Sequence, residues 1–303
     1  MSNWNLKSFD NLHASLAESA YRYRPKKFPY EQLNESKKNR LNSGKSVEFN
    51  FSTDGKDSEG QVTHGGGTDL PNGGKVYLQP DNKKLLEDEE TGYHAYYVTD
   101  TDTINANTHQ TYFAIRGSDG FGFNLSQIKK GNFKEFNYQD WINNDAAFAL
   151  TDAIVPQAQY ATKGMKEKIT ELEEKAAPDA KIDVTAHSLG TMVSVQGLAG
   201  LSESELNHVG KAVLFDGPDT TLSLIKAGYS PEKLKLLDEK IVYYVNPFDP
   251  VSMLNRDRPW DQQLGKVNVV VPIKYTSMMN KYSSHDFGAY QIDSYGNILT
   301  ASE

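Results

Sequence analysis

The chain has 303 residues, 38% of them hydrophobic, enough to build a sizeable core and too many for a disordered polypeptide. Its formal net charge of -8 leaves no basic face to neutralise nucleic-acid phosphates or to hold an anionic membrane by charge, so nucleic acid is not an expected partner. The absence of cysteine excludes disulfides, thiolate metal sites and cysteine nucleophiles together, and leaves the compartment open.

In chain order, the opening residues MSNWNLKSFDNLHASLAESAYRYRP lack the charged start, apolar stretch and small-residue cleavage site of a secretory signal. No run reaches the roughly 20 apolar residues that span a bilayer. The expectation is a soluble chain that, if exported, is secreted by a route reading no cleavable signal peptide, with the cytoplasm as the alternative. Leu6, Phe9, Leu12, Leu16 and Tyr21 recur at helical spacing, predicting an amphipathic helix that covers a sheet and stops by Pro25. Residues 34–82 turn polar and glycine-rich, and read as an insertion of loops and short strands rather than core.

YHAYYVT (93–99) and HQTYFAIRG (109–117) flank a turn-rich segment and predict a hairpin or two adjacent strands. The Asp/Asn spacing of that turn lacks the glycine and terminal glutamate of a calcium loop, so no metal is expected there. ATKGMKEKITELEEKAAP puts Met165, Ile169 and Leu172 on one helical face. Next come a strand KIDVTA, a helix from Leu189 to about Leu201, a strand KAVLF, a helical SPEKLKLLDEK, and the strands KIVYYV and KVNVVVPI. Strands alternating with helices require crossover connections, hence an α/β fold with a mostly parallel sheet in a single domain over 1–303.

Within this pattern DVTAHSLGTM places Ser188 between a strand and a helix. A serine at the tip of such a turn needs small residues two places before and after it, because strand and helix nearly touch there; Ala186 and Gly190 meet the need, giving A-x-S-x-G for G-x-S-x-G. The turn sets the serine at the positive end of the helix, with the Leu189 N–H available to a developing oxyanion. The competing reading is a plain strand–helix turn whose serine caps the helix.

A serine nucleophile requires a general base and an orienting acid. In an elbow of this kind the order is serine, acid, histidine. His13, His64, His94 and His109 precede the serine, His187 adjoins it on a turn that points neighbouring side chains apart, and His208 follows with no acid-bearing strand between; His285, in KYSSHDFGAY, is left as the base. Asp216, after KAVLF, and Asp249, after KIVYYV, both fall at carboxyl ends of parallel strands, and both stay open as the acid on this reading.

The ordered motifs FAIRGSDG (113–120), DWINND (140–145), TAHSLG (185–190), FDGPD (215–219), NPFDPVSML (246–254) and SHDFGAY (284–290) resemble those of the lipase class 3 group of α/β-hydrolases over about two thirds of the chain. The resemblance implies an α/β-hydrolase fold with Ser188 as nucleophile, Asp249 as acid and His285 as base. It implies an oxyanion hole from the Ser118 and Leu189 N–H groups, with no cofactor and no metal. Ala186 in place of glycine, Thr191 where the family often has another glycine, and the long polar N-terminal segment depart from the pattern. The outline is also similar to the N-terminal phospholipase domains of type VII-secreted antibacterial toxins of Gram-positive bacteria. That likeness implies a longer protein, with a secretion partner on a helical tail or an immunity protein as partner.

Between the oxyanion motif and DWINND, residues 119–139 concentrate Phe121, Phe123, Phe133, Phe136 and Tyr138 among glycines and lysines, the composition of a lid that opens at a lipid surface. The expected function is therefore hydrolysis of lipid acyl esters through an acyl-enzyme, as a phospholipase A or lipase in transient contact with a membrane surface. A small-ester esterase or thioesterase is the rival within the same chemistry, and a non-catalytic lipase-like binding module the rival outside it.

Overall fold

A computed structural model describes residues 13–14, 16–17, 35–50, 55–56, 62–63, 75–117, 153–272, 290–291 and 298–301. Among them a nine-stranded sheet forms the centre. Its antiparallel side holds β1 (Val47–Asn50), β4 (Lys75–Leu78) and β6 (Tyr93–Thr99), with β5 (Glu87–Asp88) paired to β6. β7 (Gln110–Ile115) pairs antiparallel with β6 and parallel with β8 (Lys181–His187), and from there β9 (Val209–Phe215), β10 (Ile241–Val245) and β11 (Lys266–Val269) all run parallel. β2 (Gly55–Lys56) and β3 (Val62–Thr63) make a separate ribbon.

Among the described residues the α-helices with defined bounds are α1 (Glu35–Asn42), α2 (Gln157–Lys175), α3 (Gly190–Ala199), α4 (Glu203–Leu206), α5 (Thr221–Lys226) and α6 (Pro231–Asp238). None is long and apolar enough to cross a membrane. The fold is thus mixed α/β, with a mostly parallel central sheet flanked by helices.

Local chemistry accounts for the boundaries. α2 begins four residues before the expected ATKGMK start because Pro156, with φ -57°, is already in the helical region and lacks only an N–H that a first turn leaves unused. Ser202 caps α4, its hydroxyl accepting from the Glu205 N–H while the Glu205 carboxylate accepts from the Ser202 N–H. Ser230 caps α6 ahead of Pro231, its hydroxyl accepting the Lys233 N–H. α3 is buried on every side, as its GTMVSVQGLA composition requires of a helix sandwiched between a sheet and other helices.

The interior strands bury both faces. Ile182, Val184 and Ala186 of β8 join Leu214 of β9 and the apolar face of α2 and α3 in one cluster. Val213 and Phe215 point to the opposite cluster, with Ala14, Ala17 and Tyr244. The helical residues 13, 14, 16 and 17 therefore cover the sheet, in line with the N-terminal periodicity. Part of the 34–82 segment is core rather than insertion: β1 and β4 extend the sheet, and Val47 and Val76 are buried in it. The short strands expected there, each of four residues, thus belong to the central sheet.

His13 anchors that cover. Its imidazole Nε2 lies 2.9 Å from Asp183 Oδ2, Asp183 Oδ1 accepts the Lys211 N–H at 3.0 Å, and the His13 carbonyl accepts the Thr185 hydroxyl at 3.0 Å. The ring stands edge-on to Tyr112 at 5.6 Å. Asp183→Ala removes the carboxylate from a polar contact buried on both sides, and is expected to cost about 3 kcal/mol, read from urea unfolding midpoints at unchanged slope.

Candidate active site

Three loops meet at the carboxyl ends of β8, β9 and β10. Ser188 leaves β8 with φ 59°, one of four described non-glycine residues in the left-handed region. That conformation costs a residue with a Cβ about 1–2 kcal/mol and persists only where surroundings enforce it. The enforcement is visible: the Ser188 N–H donates to the Phe215 carbonyl at 2.9 Å, and the Ser188 carbonyl accepts the Thr191 N–H at 3.1 Å and the Thr191 hydroxyl at 2.7 Å.

The small-residue rule has a direct steric basis. A Cβ on Gly190 would lie 2.8 Å from the Ile115 carbonyl oxygen and 2.9 Å from the Arg116 carbonyl. Ala186, fully buried, pairs with Ile115 on one side and Leu214 on the other. Leu189 occupies the N-cap position of α3, and among the described residues no acceptor takes its N–H. This is the geometry of a donor free to meet charge developing next to Ser188.

Both acid candidates are brought together. Asp216 follows β9 and, like Ser188, is left-handed, with φ 49°. Asp249 follows β10, and its carboxylate accepts the Val251 N–H at 3.1 Å, the Ser252 N–H at 3.0 Å and the Ser252 hydroxyl at 2.5 Å. The same hydroxyl stands 2.9 Å from Asp216 Oδ1, which also accepts the Asn246 N–H at 3.1 Å. Asp216, Asp249, Ser252 and Asn246 are all fully buried.

A buried arginine fastens the two acid loops. Arg256 donates from Nε to the Ser252 carbonyl at 2.7 Å and from its terminal nitrogens to the Gly217 carbonyl at 2.9 Å and Gln263 Oε1 at 2.8 Å. Its guanidinium stacks over the Tyr243 ring at 4.5 Å. Burial pushes the Tyr243 phenol up to about 12, so the ring is a neutral platform at neutral pH. Burial also raises the Asp219 carboxyl above its ordinary value, opposed by the Thr221 hydroxyl and by Arg256. On the other side, a Cβ on Gly217 would fall 1.8 Å from Thr191 Oγ1, so the Asp216 loop rests on the first turn of α3.

Beside the elbow a cavity opens between Tyr93, Val155, Leu189, Met192 and Val193. Its polar wall is braced from behind: the Gln157 amide donates to the Thr91 carbonyl at 2.8 Å, and the Arg116 guanidinium to the Gly92 carbonyl at 3.1 Å. The wall of this cavity next to Leu189 is mostly apolar.

Of the expected site residues, Ser188, Leu189 and Asp249 lie on this face of the sheet, together with Asp216. Ser118, the segment 119–139, DWINND and His285 fall outside the described residues. His94, His109 and His208 each face a carboxylate, from Glu87, Asp179 and Glu173. His187 is almost fully buried at the end of β8, where its Nε2 lies 3.8 Å from Asp216 Oδ2, beyond hydrogen-bonding distance. Sequence reading also passed over Ser252 and Arg256; the D-P-V-S spacing, a carboxylate followed three residues later by a hydroxyl, was the available signal for the first. Among the described residues no group of three or more His, Asp or Glu is placed to hold a metal ion.

Gly190→Val forces a branched side chain into the β7 carbonyls, and is expected to cost about 2 kcal/mol of stability by thermal and chemical denaturation. Comparison with protein-family models and with curated proteins returns no match to this chain.

Proposed function

We propose that the chain is a serine carboxylic-ester hydrolase of α/β-hydrolase architecture acting on lipid acyl esters, most closely a phospholipase A or lipase. The observation that carries the reading is the left-handed Ser188 on a strand–turn–helix, at the N-terminus of α3 and one strand-end away from buried aspartates. The apolar slot beside Leu189 supports an acyl chain over a polar substrate. The likeness of the ordered motifs to class 3 lipases supports the same chemistry.

In this reading His285 takes the Ser188 proton as Ser188 attacks the acyl carbonyl. The N–H groups of Leu189 and Ser118 hold the oxyanion, Asp249 orients the imidazole, and protonated His285 passes its proton to the departing alcohol. Water then repeats the sequence on the acyl-enzyme. Residues 119–139 form the lid over a lipid surface. Secretion and a role as an antibacterial toxin complete the reading.

Ser188→Ala is expected to lower acyl-ester turnover by about 10⁵-fold with unchanged melting temperature, and to abolish labelling by a fluorophosphonate probe. Turnover near that of the parent protein in this variant would remove the assignment. Rates on p-nitrophenyl esters of increasing chain length, together with release of fatty acid from mixed phospholipid vesicles, separate a lipase from a small-ester esterase: a rise with chain length is expected, and a fall would favour the latter.

A further inference from the structure

Gln196 is the one long polar side chain of α3, a helix buried on every side. A buried amide without partners is costly, so this position requires donors and acceptors to meet it there. They do, and each ties another segment to α3. Gln196 Oε1 accepts the Val155 N–H at 2.8 Å, while Nε2 donates to the Ala153 carbonyl at 2.9 Å and to Ser223 Oγ at 3.0 Å. The Ser223 hydroxyl gives its own proton to the Thr220 carbonyl at 2.8 Å, which leaves its lone pair for the amide. A backbone N–H only donates and a carbonyl only accepts, so a single orientation of the amide satisfies all of these contacts.

Val155 lines the cavity beside the elbow, as do Met192 and Val193, which precede Gln196 by four and three residues and so share its face of α3. One part of the cavity wall therefore belongs to α3 and another to the segment leading into α2, and Gln196 is the side chain that joins the two. A wall held in this way cannot retreat far. N–H···O contacts weaken outside about 2.7–3.2 Å, and each buried donor or acceptor left behind by a moving Val155 would stand without a partner.

We infer that Gln196 is a specificity-determining residue: its amide holds Val155 at a fixed spacing from Met192 and Val193, so that the cavity accepts a linear acyl chain and rejects one branched beside the carbonyl. An amide is needed at this position because one group must offer an acceptor to Val155 and donors to Ala153 and Ser223 at once. A carboxylate of the same size lacks the donors, and an apolar side chain lacks both. The role in ester selection rests on the hydrolase reading, whereas the braced wall needs no catalysis to be measured.

Hydrogen exchange reads the brace, and a pair of isomeric esters reads its effect. In Gln196→Met, similar in size but without the amide, the Val155 N–H is expected to exchange about tenfold faster while that of Ala186 in β8 is unchanged. The ratio of kcat/KM for p-nitrophenyl butyrate over p-nitrophenyl isobutyrate is expected to fall about tenfold, through a lower KM for the branched ester, with kcat for the linear ester unchanged. Unchanged exchange at Val155 overturns the brace, and an unchanged ratio overturns the specificity role. Should Gln196→Met fail to fold, Gln196→Glu keeps the size and the acceptor for Val155 but sets an oxygen against the Ala153 carbonyl; the same fall in the ratio is expected there, and its absence overturns the proposal. A parent protein that neither turns over esters nor takes the fluorophosphonate probe refutes the hydrolase alone. The cavity is then read directly from the Met192 methyl resonance during titration with n-butanol and isobutanol: a preference for the linear isomer that the Gln196 variant loses supports the proposal, and an equal response to both isomers in the parent protein overturns it.

Discussion

The carbonyl oxygens that close β7 stand so near the first residue of α3 that only a hydrogen fits between them at Gly190. That contact fixes how α3 leaves the sheet, and much of the site follows from it. With the helix pressed against β7, the chain between β8 and α3 must turn within about two residues, which drives Ser188 into the left-handed region. The same turn aligns the positive end of α3 with the space above the sheet and leaves the Leu189 N–H facing it. The Asp216 loop then completes the enclosure by resting on Thr191, again through a glycine.

The acid side depends on a second, different constraint. Asp249 and Asp216 come from separate strands, and each loop alone could hold its carboxylate in several places. Arg256 removes that freedom by binding a carbonyl of each loop at once, while Ser252 joins the two side chains. An arginine in so dry a place is tolerated because its fork meets three acceptors and an aromatic face. Rigidity here comes from hydrogen bonds aimed at backbone atoms, which side-chain motion cannot easily displace.

Much of the parallel half of the sheet was legible in the sequence, because buried strands such as KIDVTAH and IVYYV are dense in apolar and β-branched residues and the helices between them are long enough to show their period. The elbow was legible for a related reason: small residues at 186 and 190 are a steric requirement, and steric requirements are written locally. What stayed hidden is long-range or short. β1 and β4 are too brief to alternate visibly inside a glycine-rich stretch. Ser252 and Arg256 look like ordinary loop residues until the fold brings a second acid loop against them. The choice between Asp216 and Asp249 could not be read from spacing, since each follows a buried strand and the bridge between them exists only in three dimensions.

The contact of His13 with Asp183 joins residues 170 positions apart. During synthesis the Asp183 carboxylate that receives His13 does not exist until β8 has been made. At the usual ribosomal rate of 5–20 residues per second that interval is roughly ten to thirty seconds. Over this time Ala14 and Ala17, packed against Val213 and Phe215 in the folded protein, lack the surface that buries them, so this cover docks late.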